Sequence, residues 1–131
     1  MRVDVRQASS VAKPTDIRVR DAALYFLPVE MRVPLKFGAQ IVTGSLCARA
    51  RVRVEDRAGR SAEGWGETPL SVAWVWPSTL SWDERERRMR EFCEVLAREV
   101  VGSGAGHPME IGDAFQRAWL EIGRASCRER V

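Results

Sequence analysis

A chain of 131 residues, 45% hydrophobic and 30% charged, has the composition of one small globular domain and excludes a disordered tail. Twenty-one Lys plus Arg against eighteen Asp plus Glu leave a net charge of +3, too thin a surplus to mark a nucleic acid as partner. No apolar run approaches the roughly 20 residues that cross a bilayer, and the N-terminal residues lack the roughly 7–15-residue apolar stretch of a secretory signal, so a cytoplasmic protein with no membrane partner is expected.

Residues 1–15 (MRVDVRQASSVAKPT) carry no periodic pattern and read as a flexible leader. Asp16 to Val29 alternates at first, Ile17 and Val19 against Arg18 and Arg20, and becomes apolar from Ala22 to Leu27, which predicts a strand bending near Pro28. Pro34, Gly38 and Gly44 break the alternation over residues 30–44 and predict a long excursion rather than a tight hairpin. Such loops are usually functional or mobile.

Leu46 to Glu55 is the clearest strand: Leu46, Ala48, Ala50, Val52 and Val54 share one face, and Arg49, Arg51, Arg53 and Glu55 the other. The arginine row reads as the wet face of a half-buried sheet, because a nucleic-acid groove needs a more concentrated basic footprint. Asp56 to Arg60 supplies a turn in which Gly59 can take positive φ, and Ser61 to Glu67 returns as the partner strand. Thr68 to Leu80 is irregular and places Trp74 and Trp76 between Pro69 and Pro77, where two large aromatics either cap the sheet or line the mouth of a ligand pocket.

Ser81 with Glu84 three residues on is a capping box, followed by an apolar stripe of Met89, Phe92, Cys93, Leu96, Ala97 and Val100. The Gly102–Gly106 run (GSGAG) follows a helix, so it reads as a helix stop rather than a phosphate cradle. A second helix is expected from near Pro108 through Ile111, Phe115, Ala118 and Trp119. His107 is the only histidine and reads as a loop residue; with no CxxC spacing, Cys47, Cys93 and Cys127 read as free thiols rather than zinc ligands. No nucleophile, triad or carboxylate dyad is present, so no catalytic or metal-ligating residue is assigned.

Glu121 to Val131 (EIGRASCRERV) does not read as native protein. From Ile122 the codons ATC GGA AGA GCG TCG TGT AGG GAA AGA GTG spell it, and that string resembles one frame of a widely used sequencing adapter. Residues 121–131 are therefore set aside as an artefactual tail, and the domain is taken as residues 16–120.

Within 16–120, the order of strand, Arg32-Val33-Pro34-Leu35-Lys36-Phe37-Gly38, strand, turn, Gly64-Trp65-Gly66-Glu67-Thr68-Pro69 and helices resembles the N-terminal capping domain of the enolase superfamily, mandelate racemase and muconate-lactonizing type. The resemblance implies an α+β fold, a three-stranded antiparallel meander followed by a small helical bundle. It also implies a partner (β/α) barrel, missing from this chain, that supplies the acid/base residues and the ligands for Mg²⁺.

Enzymes of this family abstract a proton next to a carboxylate and stabilise the enolate on the metal, giving racemases, epimerases, dehydratases or cycloisomerases. Such a parent is expected to be a homo-oligomer acting on a small carboxylate, and this chain alone to be inactive. By position, the family's two substrate-capping loops match residues 31–44 and 67–78. Lys36 then faces a substrate anion, Phe37 and Trp76 supply apolar wall, Thr43 donates a hydrogen bond, and Trp74 belongs to the second capping loop. The competing expectation is a standalone α+β binding module with no catalytic activity.

Overall fold

The computed structural model describes residues 11–72 and 79–128. Among them the chain is α+β, with strands β1 (Ile17–Phe37), β2 (Gln40–Asp56) and β3 (Ser61–Pro69), helix α1 (Trp82–Val100), strand β4 (Ala105–Gly106) and helix α2 (Pro108–Arg128). The sheet order is β3-β2-β1-β4. The meander expected from the sequence is therefore extended by a fourth, two-residue strand: β4 pairs antiparallel with the start of β1, Ile17 opposite Gly106 and Arg18 opposite Ala105. The glycine run that stops α1 thus also supplies backbone to the sheet, a use its composition does not announce.

Residues 30–44 are not the irregular excursion predicted from their breakers. β1 runs on through Pro28 and Pro34 to Phe37, and only Gly38 and Ala39 separate it from β2. Gly38 has φ of 55° and no non-glycine residue among those described has positive φ, which is the pattern of a type II′ hairpin with glycine first. The prolines are tolerated because β4 covers only Ile17 and Arg18, so beyond Arg18 β1 has, among the described residues, a strand on one side alone.

The chain divides into two units. The first takes residues up to Asp21, Arg53–Glu63 and Glu99 onward. Here Val19 and Ile111 are buried, and Ser103 Oγ donates to the Val100 carbonyl at 2.7 Å, closing the end of α1. His107 starts α2: its carbonyl accepts from Ile111 N–H, and its Nδ1 accepts from Met109 N–H at 3.3 Å. The single histidine is thereby spent on a helix start. Lys13 Nζ pairs with Glu110, and this contact, ahead of any other, holds the Glu110 carboxyl below its ordinary range.

The turn between β2 and β3 is built on Asp56. Its carboxylate accepts the backbone N–H groups of Ala58 and Arg60, both at 2.9 Å, and Arg60 Nε at 2.7 Å, while Gly59 takes φ of 80°. The Arg60 backbone bond is the chief cause that lowers the Asp56 carboxyl below its ordinary value of 3.8. A depressed folded-state value stabilises the fold at pH above the unfolded value and loses that contribution as pH falls below 3.8 toward the folded value. Asp56→Asn is accordingly expected to flatten the acid limb of a stability-against-pH curve below pH 4, read by thermal melts across a pH series; an unchanged acid limb would remove Asp56 as its source.

The second unit takes residues 22–52 and 64–98. Cys47, Ala48, Leu70 and Val72 are its buried apolar residues. Leu70 N–H donates to the Leu46 carbonyl at 2.7 Å, which sets the register of β3 on β2 and places Arg49 opposite Glu67 and Arg51 opposite Trp65. That register turns the backbone of Pro69, which lacks an N–H, to the open edge of β3, where proline discourages a further strand. All nine residues of β3 are exposed.

Ser81 Oγ accepts from Glu84 N–H at 3.2 Å and its carbonyl from Arg85 N–H at 3.1 Å, so the predicted start of α1 is present. The Glu84 carboxylate pairs with Arg88 at 3.0 Å. Met89, Cys93, Leu96, Ala97 and Val100 of the predicted stripe are half-buried, whereas Phe92 is exposed at 45%. α1 has no fully buried residue.

Candidate functional site: the β1–β2 arm

The candidate capping residues of the first loop all lie on one β-hairpin. Residues 28–36 on its outgoing strand and 40–46 on its return strand are exposed or half-buried throughout, with Val33 at 75% and Ile41 at 67% exposure. A strand pair exposed in this way is an arm rather than a layer of the core. Lys36 is exposed one residue before the last residue of β1, and Phe37 ends the strand, its side chain lying outside the described residues. Thr43 is exposed on the return strand. The structure thus places Lys36 and Thr43 on opposite strands of the same arm; Trp74 and Trp76 fall outside the described residues.

The base of the arm is tight. A Cβ added at Gly44 would stand 3.0 Å from the Val29 carbonyl oxygen and 3.9 Å from the Glu30 Cα, so glycine is required there for close backbone approach rather than for an unusual φ. Next to it, Gln40 to Gly44 and Trp82 line a groove of about 380 Å³. Of the candidate residues, Thr43 is the one that lines this groove, and Trp82, far along the chain, lines it too. Trp82 carries no signal in a scan for catalytic motifs; what marks it is an indole directly after the helix-capping Ser81, in a first turn otherwise filled by Asp83 and Glu84. The Arg85 guanidinium lies 5.9 Å from the centre of its ring.

The sheet in this unit has two unlike faces. Phe26 lies under the guanidinium of Arg90 from α1, 4.7 Å from its ring centre. Neighbouring Tyr25 points the other way and stacks on Trp65, with ring centroids 6.0 Å apart at 25°. Arg49 Nε pairs with Glu67 Oε2 at 2.5 Å, two residues from Trp65 on the same face. That pairing ties one member of the arginine row to a neighbour, whereas Arg51 of the same row is half-buried rather than fully solvated.

Reactive groups are scarce. Cys47 and Cys93 are free thiols, and burial, then the charge of Glu94, pushes the Cys93 thiol above its ordinary value, which keeps it protonated and unreactive near neutral pH. Among the described residues no three His, Cys, Asp or Glu side chains converge to hold a metal ion, and no helix is long and apolar enough to cross a membrane. In comparison with known proteins, the chain matches no family model, no curated protein and no solved structure.

Proposed function

We propose that residues 16–120 are the capping domain of an enolase-superfamily enzyme of the mandelate racemase and muconate-lactonizing type, with the β1–β2 arm shielding a small carboxylate substrate. One observation carries the reading: the Arg32–Gly38 segment occupies the exposed tip of an arm that turns at Gly38, while Gly64–Pro69 lies in β3, the last strand of the meander. An exposed arm bearing Lys36 and Thr43 suits a cover that excludes water and sorts substrates. In that role the Lys36 ammonium meets a substrate anion, the Thr43 hydroxyl donates a hydrogen bond, and Phe37 with the Trp74 and Trp76 segment supplies apolar wall.

Among the described residues no set of side chains fits Mg²⁺, so no step through the metal is assigned to this chain; on this proposal its ligands and the acid/base residues come from a barrel that the sequence does not include. The test is long-read sequencing past the codon for Leu120. A frame continuing for about 250 residues, the usual size of such a barrel, supports the proposal. A stop codon shortly after Leu120 would sink it and favour the second reading, a standalone binding module, for which the exposed Tyr25–Trp65 stack is the supporting observation.

The capping reading also bears on solution behaviour. Val29, Leu35 and Tyr25 are each 45% exposed, and Trp65 is 59% exposed, so the second unit presents large apolar groups to water. The isolated 131-residue chain is expected to associate with rising concentration and to melt over a broad range, read by sedimentation velocity and calorimetry. A monodisperse monomer with a sharp cooperative transition would contradict this.

A further inference from the structure

β3 is an outer strand of the sheet, and among the described residues no strand lies beyond it. All of its residues are exposed. Two bonds fix how its backbone is spent: Asp56 N–H donates to the Arg60 carbonyl at 2.9 Å, and Leu70 N–H to the Leu46 carbonyl at 2.7 Å. Between these bonds β2 and β3 have the same number of residues, so they keep one register, and the even-numbered residues from Ala62 to Thr68 turn their backbone toward β2. Ser61, Glu63, Trp65 and Glu67 therefore turn their N–H and carbonyl groups outward, a row that another strand can take up.

The residues in that row select the strand. A second copy of β3, antiparallel about a two-fold axis, offers the same donors and acceptors in return. Its registers are not equivalent. With the axis at Trp65, each Glu63 faces a Glu67, and Ser61 meets Pro69, which has no N–H to give. With the axis at Glu63 the two Glu63 side chains oppose each other, and with the axis at Gly66 it is Glu63 that meets Pro69. Placing the axis at Gly64 avoids both faults: Glu63 faces Trp65, Ser61 faces Glu67, and Pro69 lies beyond the paired run. Glu67 enters this pairing with its charge already matched by Arg49.

We propose that β3 is a self-pairing edge, through which two copies of this chain join about a two-fold axis at Gly64 and continue one sheet. The proposal rests on the backbone of β3 and not on the capping reading.

Cysteine pairing on the 131-residue chain, carrying Cys127→Ser to remove the thiol near its end, tests the register. A Cβ at Gly64 or Gly66 meets nothing within 4 Å and neither residue has positive φ, so neither site strains the fold. Across the axis the two Gly64 Cα atoms would stand about 4.5 Å apart, within disulfide reach, and the two Gly66 Cα atoms more than about 13 Å apart. Under mild oxidation Gly64→Cys is expected to give at least about tenfold more disulfide-linked dimer than Gly66→Cys, read by intact mass without reductant. Glu63→Pro removes an outward N–H and none that β2 uses, so in sedimentation it should raise the dimer dissociation constant by about tenfold or more, with Glu63→Ala within about twofold of the parent chain. The cysteine pair decides: equal cross-linking of the two variants, or none in either, overturns the self-pairing edge. Association that Glu63→Pro leaves unchanged does the same, since general contact of apolar surface would then account for it. A stop codon soon after Leu120 would defeat the capping proposal and leave this result standing.

Discussion

Val72→Asp is expected to abolish cooperative unfolding of the chain, and Val72→Ala to lower its stability by about 2 kcal/mol. Val72 is the one large side chain described as completely buried, with 0% exposure, in a fold whose other buried apolar residues are few. It stands where the chain leaves the sheet. Ser71 N–H donates to the Pro69 carbonyl at 3.1 Å and Val72 N–H to the Leu70 carbonyl at 3.0 Å, two tight local turns that drive Leu70 and Val72 inward directly after β3.

A carboxylate at position 72 would be desolvated without a partner, a cost of several kcal/mol that a small domain of marginal stability cannot absorb. Circular dichroism melts and urea titration of the two variants measure both effects. A Val72→Asp chain that still unfolds cooperatively would mean that the stretch after β3 is not an anchor. On the capping proposal the same residue holds one end of the segment bearing Trp74 and Trp76.

Gly44→Ala should cost about 1–3 kcal/mol, the range for a methyl forced into space that is already full. The methyl would sit 3.0 Å from the Val29 carbonyl oxygen, a backbone atom that cannot rotate aside as a side chain can. Gly66→Ala is the matched control, because a Cβ there meets nothing within 4 Å and the backbone needs no positive φ. Equilibrium denaturation should therefore separate the two alanine variants, with Gly66→Ala near the parent chain. Equal stability of both would show that the base of the arm yields.

Much of this architecture is legible because it rests on local rules. The alternation in Leu46–Glu55, the Asp56–Arg60 turn with Gly59, and the Ser81 cap each declare themselves within a few residues, and each is present. The arm is the instructive failure. Pro34, Gly38 and Gly44 read as breakers, yet each occupies a place where its peculiarity does no harm or is needed. Pro34 lies on a stretch of strand with an unpaired side, Gly38 heads a two-residue turn, and Gly44 allows one backbone to approach another. Whether a proline ends a strand depends on what lies beside that strand, which the one-dimensional pattern does not contain.

The candidate site divides in the same way. Lys36 stands out within the Arg32–Gly38 motif and Thr43 by its place in the matched loop 31–44, and the hairpin places them on one arm. Trp82 does not stand out, because it lies far along the chain from Thr43 and only folding brings the two beside one groove. The stack of Tyr25 on Trp65 is equally hidden, since those rings belong to strands that flank β2.

The sequence by itself determined the central strand, the turn after it and the starts of both helices, since these follow from side-chain period and backbone propensity over a few residues. Tertiary structure alone decided that residues 30–44 form an arm, that Ala105–Gly106 joins the sheet, and that Trp82 and Thr43 line one groove. Each of these depends on which backbone edge is left unpaired and which distant surfaces meet. Those are properties of pairing across the fold, and no local pattern encodes them.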